Sequence, residues 1–287
     1  SAIRGGLSQG VDTIEVWNNF LQAPGQVIIF QMIAILITMA AIWKGAKAIE
    51  KANVMLMVSL FVLLFTALFL AFVMDFEDGT LDGFVYMFSI QPEYLMEPET
   101  WINGLSQSAW SCSAGMGMAI TYSVYMRKDE DTTLNAATMC LANNSISIIA
   151  GLTVMMAVFA VVDDPLSAVG GGSSAITFLV LPEVFAKAPG GPVVQLLMVA
   201  VFFLALSFAA LTSMISTVEL CVRNFVDHGV DRSKAVGFTS LAIFLFGLPS
   251  AALWILVDDS TGVAFPQFLE VQDHIWGYGL MFSGLFI

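Results

Sequence analysis

Apolar runs of roughly 17 to 25 residues, the length at which a helix crosses the hydrocarbon core of a bilayer, recur along this chain. Seven can be read, at about Val27 to Trp43, Val54 to Val73, Leu105 to Tyr125, Thr138 to Val162, Val193 to Val222 and Ala235 to Val257, with a last one that starts near Asp273 and is still apolar at Ile287. Composition agrees, because 58% of residues are hydrophobic, 11% are charged and the mean hydropathy is +0.84. A water-soluble domain is excluded. The expected fold class is an all-α integral membrane protein embedded in a lipid bilayer.

Ser1 and the unfinished last run read as the ends of an internal fragment. The three cysteines, Cys112, Cys140 and Cys221, lie in apolar runs and read as small packing residues, so no disulfide framework is expected.

Basic residues set the orientation, since Lys and Arg are retained in cytoplasmic loops. Lys44, Lys47 and Lys51 lie between runs one and two, Arg127 and Lys128 between three and four, and Arg223, Arg232 and Lys234 between five and six. The intervening loops are acidic and contain one basic residue, Lys187, so they face outward. The net charge of -13 therefore gathers on one surface, which argues against nucleic acid or anionic lipid as its partner and suits either a high-salt habitat or a vestibule for cations. The outer segment from Asp163 to Pro192 is too long for a tight connection, and AITFLVLPEVFAKAPGG within it predicts a short helix stopped by Pro-Gly-Gly, placed as a lid over the outer face.

The third run carries AWSCSAGMG, Ala109 to Gly117, at its midpoint. Non-helical backbone at that depth is tolerated only where protein or a water-filled cavity satisfies it. A break here would expose carbonyls from one half-helix and amides from the other, and so hold cations and an anionic group at one level. The alternative is close helix packing at Gly115 and Gly117, with Ser111 or Ser113 bonded back to its own helix. The fourth run adds Asn143, Asn144, Ser145 and Ser147, and the fifth places Thr212 and Ser213 side by side with Thr217 one turn later. Hydroxyl and carbonyl oxygens are the ligands that a small hard cation prefers. No embedded cysteine has a histidine neighbour to activate it, so an intramembrane enzyme is not expected.

Five motifs in order, GAKAIEKANVMLM, WINGLSQSAWSCSAGMGMAITYSVY, NNSISIIAG, LPEVFAKAPGGP and ALTSMISTVE, make the chain resemble the neurotransmitter:sodium symporters. The resemblance implies an inverted-repeat, leucine-transporter-like sodium symporter fold that is incomplete in this chain. The runs would be helices four to ten of twelve, with 1–100 ending the first repeat and 101–287 forming most of the second. It implies a sodium-coupled importer of an amino acid or related small amine in the cell membrane, with a betaine-like osmolyte or a non-transporting sensor as alternatives. A sodium ion would take Ser111 and Asn143, and a second the Ala209 carbonyl with Thr212 and Ser213. Trp110, Ser111, Ser113, Met116, Ser213 and Thr217 would line the substrate site, with Trp110 as its aromatic wall. Met116 departs from the aromatic common at its position, and Thr217 from a branched apolar residue, which implies a more polar pocket. Ser147 stands where many bacterial members have a carboxylate, so Gln107, Ser111, Asn143 and Ser147 would offer a chloride site. Asp273 would be an outer-gate carboxylate, Asp227 an inner-gate partner, and Glu219 an acid on the inner exit path. His228 and His274 have no metal-ligand spacing and receive no role.

Overall fold

A computed structural model describes residues 13–75, 81–170, 176–187, 190–252, 255–257 and 264–284. In chain order its helices are α1 (Thr13–Leu21), α2 (Pro24–Ile42), α3 (Ala46–Asp75), α4 (Asp82–Phe88), α5 (Pro98–Ser111), α6 (Met118–Ser123), α7 (Thr132–Phe159), α8 (Pro165–Gly170), α9 (Leu181–Lys187), α10 (Gly191–Asp227), α11 (Arg232–Ala252) and α12 (Gln267–Gly284). A 3-10 turn at Pro92–Met96, a π turn at Ile176–Val180 and an antiparallel pair of three-residue strands, β1 (Ile255–Val257) and β2 (Ala264–Pro266), complete the described elements.

Among the described residues five helices, α2, α3, α7, α10 and α11, are long and apolar enough to span a membrane. Pro24 opens α2 at a position where a missing N–H costs nothing, and the Asp131 carboxylate caps α7 by accepting the Leu134 N–H at 2.9 Å. Hydroxyls inside the spans are neutralised locally. Thr38, Ser59, Thr66, Ser145 and Ser207 each donate to the carbonyl one turn earlier at 2.7 to 2.9 Å, so none meets lipid as a free donor.

Helix α10 packs on α3, and α3 on α7, while α2 lies against α11. By the loop charges α3 runs outward and α10 inward, and two apolar cores form at opposite ends of this pair. The outer core joins Ala71 and Met74 of α3 to Met156 and Val158 of α7, Leu181 and Val184 of α9, and Met198 and Val199 of α10. The inner core joins Ile42, Ile49 and Leu56 to Ile215, Val218, Val222, Ala235 and Val236. Lipid tails are as apolar as these side chains, so close van der Waals packing rather than escape from water holds the helices together. The polar stretch of α10 lies between the two cores.

The third run is two helices, α5 and α6, separated by residues 112–117, where the break was expected. Three expectations change. The sixth ends at Ala252, before the expected Val257, because Pro249 lies in its last turn and Ile255–Val257 pairs with Ala264–Pro266. The last helix begins at Gln267, ahead of Asp273. The cysteines are free but exposed on the chain's own surface, not packed inside it. The predicted outer helix is present as α9, with Leu181, Val184 and Phe185 buried in the outer core.

Candidate functional site

The break between α5 and α6 is built from left-handed backbone. Ser113, Gly115 and Gly117 have φ of 52°, 74° and 77°, alternating with ordinary residues, and no right-handed helix can pass through them. Glycine adopts this freely, whereas Ser113 does so at a cost of about 1–3 kcal/mol. The turn is tightened by N–H donation from Cys112 to the Ser108 carbonyl at 3.0 Å, from Ala114 to Ala109 at 3.0 Å and from Met116 to Ser113 at 3.2 Å. From α12, the Ser283 hydroxyl donates to the Gly115 carbonyl at 2.8 Å, so one of the freed carbonyls is held from outside the helix. Met116 lies half-buried in this break.

Two elements meet at the end of α5. The Asn143 amide of α7 donates to the Ser111 hydroxyl at 2.8 Å, which joins the two residues expected to share a sodium ion. One turn along α7, the Ser147 hydroxyl donates to the Asn143 carbonyl at 2.9 Å. Gln107, one turn before Ser111, instead faces a recess of about 640 Å³ between α5 and α12, whose lining also includes Trp110, Glu99, Asp273, His274 and Tyr278. Asp273, expected as an outer-gate acid, and Trp110, expected as an aromatic wall, thus line one recess.

On α10, the Thr212 hydroxyl donates to the Ala209 carbonyl at 2.8 Å and the Thr217 hydroxyl to the Ser213 carbonyl at 3.0 Å. Thr212 and Ser213 line a second recess of about 300 Å³ with Ser113 of the break, Ser216, Met118 and Asn53 and Met57 of α3. Ser113 and Ser213, far apart in sequence, are therefore brought to one cavity. The set offers hard oxygen ligands from the break and α10, as a sodium ion requires.

The inner end holds a buried ion pair. Glu219 has no exposed surface, and its carboxylate receives Arg232 Nη1 at 3.0 Å, Arg232 Nη2 at 2.6 Å and the Tyr125 hydroxyl at 2.5 Å. The same guanidinium donates to the Ile42 carbonyl at the end of α2, from Nε at 3.2 Å and Nη2 at 2.7 Å. Asp227 does not join this cluster. It pairs with Arg223 one turn back on α10 at 2.5 Å, while the Arg223 guanidinium lies 5.6 Å from the centre of the Tyr125 ring. Sequence reasoning placed Glu219 but missed Arg232 and Tyr125 as its partners, and it missed Asn53. A carboxylate in an apolar helix demands a cation, which was the available signal.

A match to the sodium:neurotransmitter symporter family covers residues 15–277. An uncharacterized sodium-dependent transporter of Bacillus subtilis is 27% identical over 93% of this chain and 56% of its own length. Another from Methanocaldococcus jannaschii is 30% identical over 96% of this chain and 54% of its own. The sodium- and chloride-dependent neutral and basic amino acid transporter B(0+) of Mus musculus is 26% identical over 70% of this chain and 34% of its own length. Among solved structures, MhsT in complex with L-phenylalanine superposes with a TM-score of 0.80 at 27% identity, over 99% of this chain and 63% of that one. The chain spans about half the length of the first two relatives. With its spanning helices, its broken helix and this match along nearly its whole length, the chain belongs to the sodium:neurotransmitter symporter family.

Proposed function

We propose that the chain is part of a sodium-coupled symporter that imports an amino acid or related small amine by alternating access. The observation that carries this reading is the break at Ser113 to Gly117, which brings Ser113 to the same recess as Thr212 and Ser213. One sodium ion binds Ser111 and Asn143, and a second binds the Ala209 carbonyl with the Thr212 and Ser213 hydroxyls. Substrate lies against Trp110, Ser111, Ser113, Met116, Ser213 and Thr217. The sodium-dependent relatives, and MhsT in complex with L-phenylalanine, support the sodium coupling and the small-molecule substrate.

Sodium acts here by differential binding. It stabilises the conformation in which the broken segment and α10 are drawn together, and so raises affinity for substrate in that conformation. Asp273 on the outer side, with Glu219 and Asp227 on the inner side, close the two access routes in turn. Chloride near Gln107, Ser111, Asn143 and Ser147 supplies a negative charge beside the sodium ions.

The test is uptake of a mixed labelled amino-acid pool by proteoliposomes containing the full-length protein. An inward sodium gradient is compared with potassium, and chloride with gluconate. Sodium-dependent accumulation supports the reading. Sodium-dependent binding without accumulation replaces it with a sensor.

A further inference from the structure

Asp75 ends α3 on the outer side and is only 5% exposed, next to Met74 and one turn from Ala71 of the outer core. Its Oδ1 accepts the Gly83 N–H of α4 at 3.4 Å, whereas its Oδ2 is buried with no hydrogen-bond partner among the described residues. Helix α4 lies directly on α7, since a Cβ at Gly83 would come within 2.6 Å of Met156 Cα. The Tyr86 and Phe159 rings, 4.8 Å apart, extend the same contact. Asp75 thus ties a closely seated outer helix to the end of α3.

A carboxylate taken out of water needs a cation beside it, or it takes up a proton and becomes neutral. Glu219 shows the first solution, with the Arg232 fork and the Tyr125 hydroxyl on its oxygens. Nothing comparable surrounds Asp75. Helix α3 has no charged residue between Lys51 and Asp75, α7 has none at all, and α10 has none before Glu219. The ionisable residues of α4 are Asp82 and Tyr86, while α9, which shares the outer core, bears Glu183 and ends on Lys187. Among the described side chains no cation bonds either oxygen of Asp75. The bond from Gly83 is also long beside the 2.9 Å bond by which the exposed Asp131 carboxylate caps α7, and hydrogen bonds to an ionised acceptor are the short ones. A proton is the one cation that needs no room at a buried oxygen.

We propose that Asp75 is a proton-binding site at the outer end of α3, which keeps its carboxyl neutral at pH 7 and makes the seating of α4 depend on outer pH. The neutral acid is tolerated beneath α4, whereas proton loss leaves an uncompensated charge there. The folded chain holds a proton that the unfolded chain has released above about pH 4, so this contribution to stability falls as pH rises, until the folded carboxyl itself ionises. Helix α4 leads through the Pro92–Met96 turn into α5, so the site stands one connection away from the broken helix.

The experiment is infrared spectroscopy of the purified full-length protein, titrated from pH 5 to 8, with Asp75→Asn beside the wild type. A protonated carboxyl has a C=O band distinct from that of a carboxylate. This band is expected in the wild type at pH 7, moved by isotope-labelled aspartate and lost in Asp75→Asn. The isotope shift assigns the band to an aspartate in the wild type alone, whatever the substitution does to folding. Melting over the same range gives a second reading, in which the midpoint of Asp75→Asn relative to the wild type rises by about 2–4 °C between pH 5 and 8. A packing defect would instead shift it equally at every pH. The absence of an aspartate band at pH 7, its survival in Asp75→Asn, or a midpoint difference that does not change with pH overturns the site.

Discussion

Arg232 grips Glu219 through two nitrogens, at 3.0 and 2.6 Å, and with the same fork ties down the Ile42 carbonyl at 2.7 Å. One side chain thereby closes the turn between α10 and α11 and staples both to the end of α2. The carboxylate is wholly buried, so its desolvation is offset only while the guanidinium stays in place. Position 232 needs the fork itself, since a lysine has no second arm for the carbonyl.

Removing Arg232 leaves a buried charge without its counter-ion. Arg232→Ala is expected to destabilise the protein by about 3–5 kcal/mol, whereas the paired change Glu219→Gln with Arg232→Met costs much less. Unfolding in detergent, followed by circular dichroism, measures both. Equal losses in the single and paired variants would show that the ion pair is not what holds the three helix ends.

The break makes a separate prediction. A Cβ at Gly117 would meet only Leu220 Cδ1 at 3.8 Å, which is ordinary contact, so any loss on Gly117→Ala comes from backbone conformation. At φ of 77° that loss is about 1–2 kcal/mol. Lower affinity for whichever labelled amino acid the uptake experiment identifies is expected alongside a lower melting midpoint. An alanine variant with unchanged stability would mean that the left-handed turn is not held in the native state.

What the sequence made legible follows its periodicity. Long apolar runs placed α2, α3, α7, α10 and α11 to within a few residues in their lipid-facing parts, because lipid imposes composition directly on a spanning helix. The polar first turns of α3, Ala46 to Lys51, lie outside the apolar band and so carry no spanning signal. The break was visible through its glycines, yet the choice between unwinding and close packing needed the positive φ of Ser113, a residue type that does not advertise it. Contacts at long range were hidden. Tyr125 and Glu219 are 94 residues apart, and Asn143 and Ser111 are 32 apart. Spacing along one helix cannot report a neighbour on another, so only the family resemblance brought Ser111 and Asn143 together, and Asn53 and Arg232 were missed.

Thr212 supplies a test of the sodium assignment that leaves shape intact. Valine matches threonine in volume but lacks the oxygen, and the lost contact to a cation corresponds to about 1.5–3 kcal/mol. Thr212→Val should therefore weaken radiolabelled sodium binding by about ten- to hundredfold, while Thr212→Ser retains it. Equal titrations in the valine and serine variants would remove Thr212 from the ligand set.

Ser147 decides the anion question. Its hydroxyl now serves the Asn143 carbonyl at 2.9 Å, on the helix that also presents the Asn143 amide to Ser111. A carboxylate at this position would provide, from the protein, the negative charge that a bound chloride would otherwise bring beside the proposed sodium ions. Ser147→Glu is expected to raise uptake in gluconate to the level seen in chloride, because mobile and fixed anions would then compete for one role. The comparison of the two salts in proteoliposomes checks it, and the wild type must first show higher uptake in chloride. If the glutamate variant keeps the wild-type ratio between the salts, the anion lies elsewhere, and Gln107, which faces the outer recess with Asp273, loses its place in that site as well.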